Sequence, residues 1–160
     1  MQQQIVIKGD SLMTKTRFLL HKENKEAYGK IAELDQIGKS GSINENLQEL
    51  IKIYASQLNG CVFCIDMHSK DALAKGENVQ RIIGLTAWEE AAFYTAEERA
   101  VLAFTKEVTL IHQGGVSDET YQELQQYYSE KEIGELLILI GTINIYNRIG
   151  VTTLLQPKID

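Results

Sequence analysis

Proline occurs once in this chain, at Pro157, so no interior position is barred from a helix by a missing N–H or a locked φ. The apolar residues between recur mostly at three- and four-residue intervals, the period of one face of an α-helix. Together these features predict an all-α, single-domain helical bundle. Only "QQIVIKG", near the start, could form a short strand, or equally an extended arm. At 160 residues and 44% hydrophobic content, one domain can bury a sizeable core without disulfide staples. No internal repeat or low-complexity tract breaks the pattern, and residues 1–160 read as one domain with its core between about 16 and 150.

Local signals divide the chain into helices. A first is expected from about Glu23 to Ile37, with Tyr28, Ile31 and Leu34 facing inward and the glycines of "GKSGS" ending it. A second, from about Asn44 to Leu58, places Leu47, Leu50, Ile51, Tyr54, Ala55 and Leu58 on one stripe. Asn59-Gly60 breaks it, and the cysteine segment opens a third that ends at Gly76. A short helix around Val79–Gly84 follows. Thr95 with Glu98 has capping-box spacing and opens a helix to about His112. Ser117 is a further N-cap, and Ser129 with Glu132 opens the long helix through "IGELLILIGTINIYNRIG".

Charge narrows the function classes. The 16 Lys and Arg against 22 Asp and Glu leave a net −6, which argues against a nucleic-acid or anionic-membrane partner. No uninterrupted apolar run approaches the ~20 residues that span a bilayer. "MQQQIVIKGD" lacks the charged, apolar and small-residue regions of a secretory signal, so a cytoplasmic protein is expected. In a reducing cytosol a lone cysteine pair is more often catalytic or metal-binding than a permanent staple.

Both cysteines lie in residues 59–68, "NGCVFCIDMH". Cys61 and Cys64 are three apart, so their thiols can share a helix face at a separation that suits a reversible disulfide. His68 sits one turn beyond Cys64 on the same stripe. Cys61, in the first turn, should feel the unpaired N–H groups and the dipole that favour a thiolate. A structural zinc site wants four ligands, and here no third cysteine exists and His21 and His112 are isolated. Cys61 and His68 would also lie about 10.5 Å apart along an intact helix, so no metal is expected. Two buried cysteines packing as small hydrophobes is the bland alternative, which explains neither their pairing nor the histidine. Spacing therefore favours redox chemistry, with Cys61 as the lower-pKa thiol.

Taken alone, Glu49 reads as a solvated surface carboxylate. Trp88, Tyr54 and Phe63 read as core or pocket lining, and His21 and His112 as surface residues. Asn144, Asn147 and Arg148 form a polar stripe that would fix a helix or an interface.

These residues together resemble the alkylhydroperoxidase D-like (AhpD-like) group of the carboxymuconolactone decarboxylase family. The resemblance is carried by "LQELIKIYASQLNGCVFCIDMHSKDALAKGE", "LTAWEE", "FYTAEERAVLAFTKEVT" and "TINIYNR", and runs from about Thr16 to Arg148. It implies an AhpD-like helical fold, no metal or organic cofactor, and a proton-relay redox site made of Glu49, Cys61, Cys64 and His68. By the same resemblance Cys64 attacks peroxide and passes through a sulfenic acid, and Cys61 donates a proton and closes the disulfide. His68 deprotonates Cys64, with Glu49 steering the proton through water. The implied activity is that of a thiol-dependent peroxidase or disulfide oxidoreductase, with small organic hydroperoxides as substrates and a dithiol or thioredoxin-type reductant as partner. A homo-oligomer built on dimers, as a trimer or hexamer, is also implied. Phe63 stands where some members carry a second relay histidine. The family's true decarboxylases lack the cysteine pair, so its presence argues against decarboxylation. A non-enzymatic redox-sensing or stress-response oligomer using the same pair is the alternative.

Overall fold

A computed structural model describes residues 16–159. The described residues form eight α-helices and two 3-10 turns, with no strand, so the chain is all-α as expected. "QQIVIKG" lies outside the described residues. The helices are α1 (Leu20–Glu23), α2 (Lys25–Lys39), α3 (Glu45–Asn59), α4 (Val62–Ala74), α5 (Val79–Gly84), α6 (Ala96–Thr109), α7 (Asp118–Gln125) and α8 (Glu130–Thr153).

The caps sit where the sequence signals them. Thr95–Glu98 and Ser129–Glu132 both form complete capping boxes, and Ser117 accepts a hydrogen bond from the Thr120 N–H. Asn44 caps α3 by accepting from the Asn46 and Leu47 N–H groups.

Two elements differ from expectation. The first helix is broken at Asn24, whose φ of −127° and ψ of 55° separate the single turn α1 from α2. α2 then lies across α8 on one side only: Gly38 is buried, while Leu34 is exposed. The helix after Thr95 stops at Thr109, and its last turn continues as 3-10 at Ile111–Gln113 before Gly114 and Gly115 turn the chain at positive φ.

α3 is the axis of the bundle. Every residue from Leu47 to Ser56 is buried, because α4, α6 and α8 cover it from three directions. Its apolar residues enter all three clusters of the core: Leu47 and Ile51 with α6, α7 and α8, Leu50 and Tyr54 with the α5 region, and Ala55 with the two cysteines. α8 has the length and mean hydropathy (1.2) of a bilayer span, yet half of its apolar window is buried within the bundle, which marks it as a core helix.

Candidate active site

The site begins with the turn between α3 and α4. Gly60 adopts φ 68°, ψ 30°, and two bonds close the end of α3 there: Gly60 N–H to the Gln57 carbonyl and Cys61 N–H to the Ser56 carbonyl. This Schellman arrangement needs a left-handed residue, which glycine supplies without steric cost. It reverses the chain so that Cys61 is at once the residue after the α3 cap and the N-cap of α4. α4 therefore runs back along α3. Glu49, Lys52 and Ser56 on α3 have the same spacing as Cys61, Cys64 and His68 on α4, and the antiparallel pairing sets Glu49 against His68 and Ser56 beside the thiols.

Both thiols are free and buried. Cys64 offers its S–H to Cys61, and this bond is the main reason the Cys61 thiol falls to about 7 although burial opposes ionisation. The backbone N–H groups of Cys64 and Phe63 at the start of α4 and the Asn147 amide add to the pull; no side-chain cap bond forms, so the N–H groups act as oriented dipoles. Cys64 is pushed up by the same bond, by burial and by the charge on Cys61. α8 provides the backing. A Cβ at Gly150 would lie 2.8 Å from the Cys61 sulfur and 3.8 Å from that of Cys64, so only glycine lets the helix approach both. One turn earlier Asn147, fully buried, donates to Ser56 Oγ (2.8 Å) and accepts from Asn59 (2.9 Å).

Glu49 is 3% exposed, not solvated, because α4 closes over it. Burial alone would raise its pKa. Hydrogen bonds from His68 and Lys75, and the charge of Lys52, outweigh burial and hold the carboxyl down at about 2. Oε2 faces His68 Nδ1 at 2.8 Å, and Oε1 accepts from Lys75 at 2.7 Å and Lys52 at 3.4 Å. An ionised carboxylate only accepts, so Nδ1 carries the hydrogen in this contact. The contact is direct and needs no bridging water.

A cavity of about 320 Å³ gives these groups a common space. Cys64, His68 and Lys52 line it beside Phe63, Met67 and Tyr146. Residues Leu19 to His21 cover another side, held there by Arg17, whose N–H donates to the Thr153 carbonyl at 2.8 Å. Cys61 instead borders a smaller cavity of about 120 Å³ with Gly150 and Val151. The two cysteines thus border different cavities.

The structure brings Glu49 to His68 and Cys61 to Cys64; among the described residues no direct hydrogen bond joins the two pairs, which meet through the larger cavity. Phe63 lines that cavity and Trp88 and Tyr54 are core, as read. Lys52, Ser56 and Gly150 escaped the sequence reading. A lysine inside the run "LIKIYA", three residues after Glu49, was the available signal for the first: a helix apolar on every side buries whatever it carries. Glu49, His68 and Asp71 hold potential ligand atoms within 4.8 Å of one another. With Lys75 and Lys52 already on Glu49, that cluster is an ion-pair network whose positive charge is supplied by the chain.

Residues 24–107, more than half of the chain, match the carboxymuconolactone decarboxylase family. The chain is 44% identical over 119 residues to the uncharacterized protein YdfG of Bacillus subtilis, covering 74% of this chain and 81% of that one. Its fold is similar to that of a protein of unknown function from Agrobacterium tumefaciens, a candidate antioxidant defence protein AhpD. The TM-score is 0.89 at 35% identity, over 91% of this chain and 100% of the other. The debrominase Bmp8 shares the fold at a TM-score of 0.75 and 23% identity, over 86% of this chain and 74% of its own. The chain belongs to the carboxymuconolactone decarboxylase family.

Proposed function

We propose that this protein is a thiol-dependent peroxidase that reduces small organic hydroperoxides through Cys64 and Cys61, without metal or organic cofactor. Its relation to the AhpD-type protein supports a peroxidase-related antioxidant role. The observation that carries the finer reading is the placement of Cys64 and His68 on one largely apolar cavity, with the His68 ring fixed by Glu49. The Cys64 sulfur attacks the terminal peroxide oxygen: an S–O bond forms, the O–O bond breaks, and the alkoxide leaves as alcohol. The proton it takes is that of Cys64, passed through Nε2 of His68, while Glu49 stabilises the imidazolium that holds it in transit. Cys61, already the more acidic thiol, then attacks the Cys64 sulfenic acid. The S–S bond forms, the S–O bond breaks, and hydroxide leaves as water after taking a proton.

A dithiol or thioredoxin-type reductant returns two electrons and two protons to the disulfide. A cytoplasmic setting fits this, since such reductants are kept reduced there. The chain acts as one domain within a homo-oligomer. Phe63, in the place of a relay histidine, leaves His68 as the histidine on the Cys64 cavity that the relay uses.

Steady-state consumption of an alkyl hydroperoxide with a dithiol tests the reading. Cys64→Ser should abolish turnover, and Cys61→Ser should permit one oxidation to the sulfenic acid and then stall. Normal turnover by Cys64→Ser would overturn the mechanism, and stoichiometric oxidation of the wild type without turnover would leave redox sensing in its place.

A further inference from the structure

Lys52 is 2% exposed and lies among Leu50, Ile51 and Ile53 on the central helix. Burying an ammonium is costly unless it is paired and its hydrogens are used. Glu49, the nearest carboxylate, is already engaged at 2.8 Å by His68 and at 2.7 Å by Lys75. Lys52 reaches it only at 3.4 Å, and that is its one hydrogen bond among the described residues. Among the described residues, two of its three N–H groups have no partner. Lys52 also lines the larger cavity, whereas Glu49 lies outside that lining. Desolvation lowers the Lys52 pKa, and the Glu49 charge opposes that fall.

The rest of the cavity has the complementary character. Phe63, Met67, Ile143 and Ile149 supply apolar wall. Its acidic residue, Asp35, is bonded to Lys39 at 2.5 Å, so two lysines face one aspartate in a protein whose net charge is −6. An anion entering this space would find an ammonium with free donors and no uncompensated carboxylate.

We propose that Lys52 is an anion anchor, and that the cavity takes hydroperoxides carrying a carboxylate on an apolar chain. The carboxylate accepts the two unused Lys52 hydrogens, the chain lies against the apolar wall, and the peroxide end is left to Cys64. The reacting end of this picture rests on the peroxidase reading; the anchor rests on the cavity and Lys52 alone.

Two measurements on the full chain separate them. In the first, reduced protein is mixed with a hydroperoxy fatty acid or with its methyl ester, and thiol loss is followed in a single turnover. The acid should react faster by roughly tenfold or more, the difference a charge-assisted hydrogen bond supplies. Lys52→Met should bring the acid-to-ester ratio near one, and Lys52→Arg should restore part of it. In the second, decanoate and decanol are titrated by NMR; wild type should prefer decanoate, and Lys52→Met should not. Equal behaviour of acid and ester together with equal binding of decanoate and decanol by wild type would overturn the anchor, as would a preference that survives Lys52→Met. If Lys52→Met fails to fold, the wild-type ratios decide. Decanoate binding without thiol oxidation would sustain the anchor and sink the peroxidase; oxidation indifferent to charge, with no decanoate preference, would do the reverse.

Discussion

At Glu49 one carboxylate, buried under α4, is shared by a histidine and two lysines. Its folded pKa of about 2 lies below the ordinary 4.5, so the folded state holds this proton less tightly than the unfolded chain. The resulting stabilisation is complete above about 4.5 and disappears as pH falls through 2, amounting to about 3 kcal/mol. Denaturant titrations between pH 7 and 2 should show a steep acid limb in wild type and a shallower one in Glu49→Gln; matching limbs would exclude the assignment. That variant should also lose stability at neutral pH, because the buried Lys52 ammonium is left facing an amide. Sequence alone could not show this network. Glu49 looks like a surface residue because its burial is decided by α4, which packs over it from outside α3.

Between elements, the decisive contact is the one α8 makes at Gly150. A methyl group there would meet the Cys61 sulfur at 2.8 Å, closer than packed atoms approach, so either the thiol must rotate or the helix must retreat. Gly150→Ala should therefore slow closure of the Cys61–Cys64 disulfide by on the order of tenfold or more, since the reacting sulfurs lose their alignment. Rapid-quench thiol counting after one equivalent of peroxide reads this directly, and a wild-type rate would show that α8 does not position the pair. Elements of this kind were the most legible part of the sequence. Thr95, Ser117 and Ser129 marked helix starts, and Asn59-Gly60 marked the reversal, because caps and left-handed turns depend on a few neighbouring residues. The break at Asn24 and the exposed Leu34 carried no such signal. Both depend on how α2 lies across α8, a matter of packing over a hundred residues away in the chain.

Over the whole molecule, apolar side chains remain uncovered on both of those helices: Ile37 is 64% exposed on α2, and Leu137 is 50% exposed on α8. Such exposure suits an interface between copies. Light scattering should find an oligomer for wild type, and Ile37→Glu with Leu137→Glu should shift it toward the monomer; an unchanged assembly would place the interface elsewhere. The all-α architecture is legible in the helical period, and the proximity of Cys61 to Cys64 in their spacing, whereas Glu49 joins them only through the family resemblance. The cavity and the close approach of Gly150 to the thiols are not legible in the sequence, since each is made by segments that meet only in space. That division has a further consequence. Glu49 and His68 are 19 residues apart, whereas Asn147 reaches Ser56 across 91. Closing the shorter loop costs less chain entropy, so contacts within the α3–α4 hairpin precede those that require α8. The Glu49–His68 contact thus forms while the chain is still open, and the sulfurs, which wait for α8, are the last of these side chains to be enclosed.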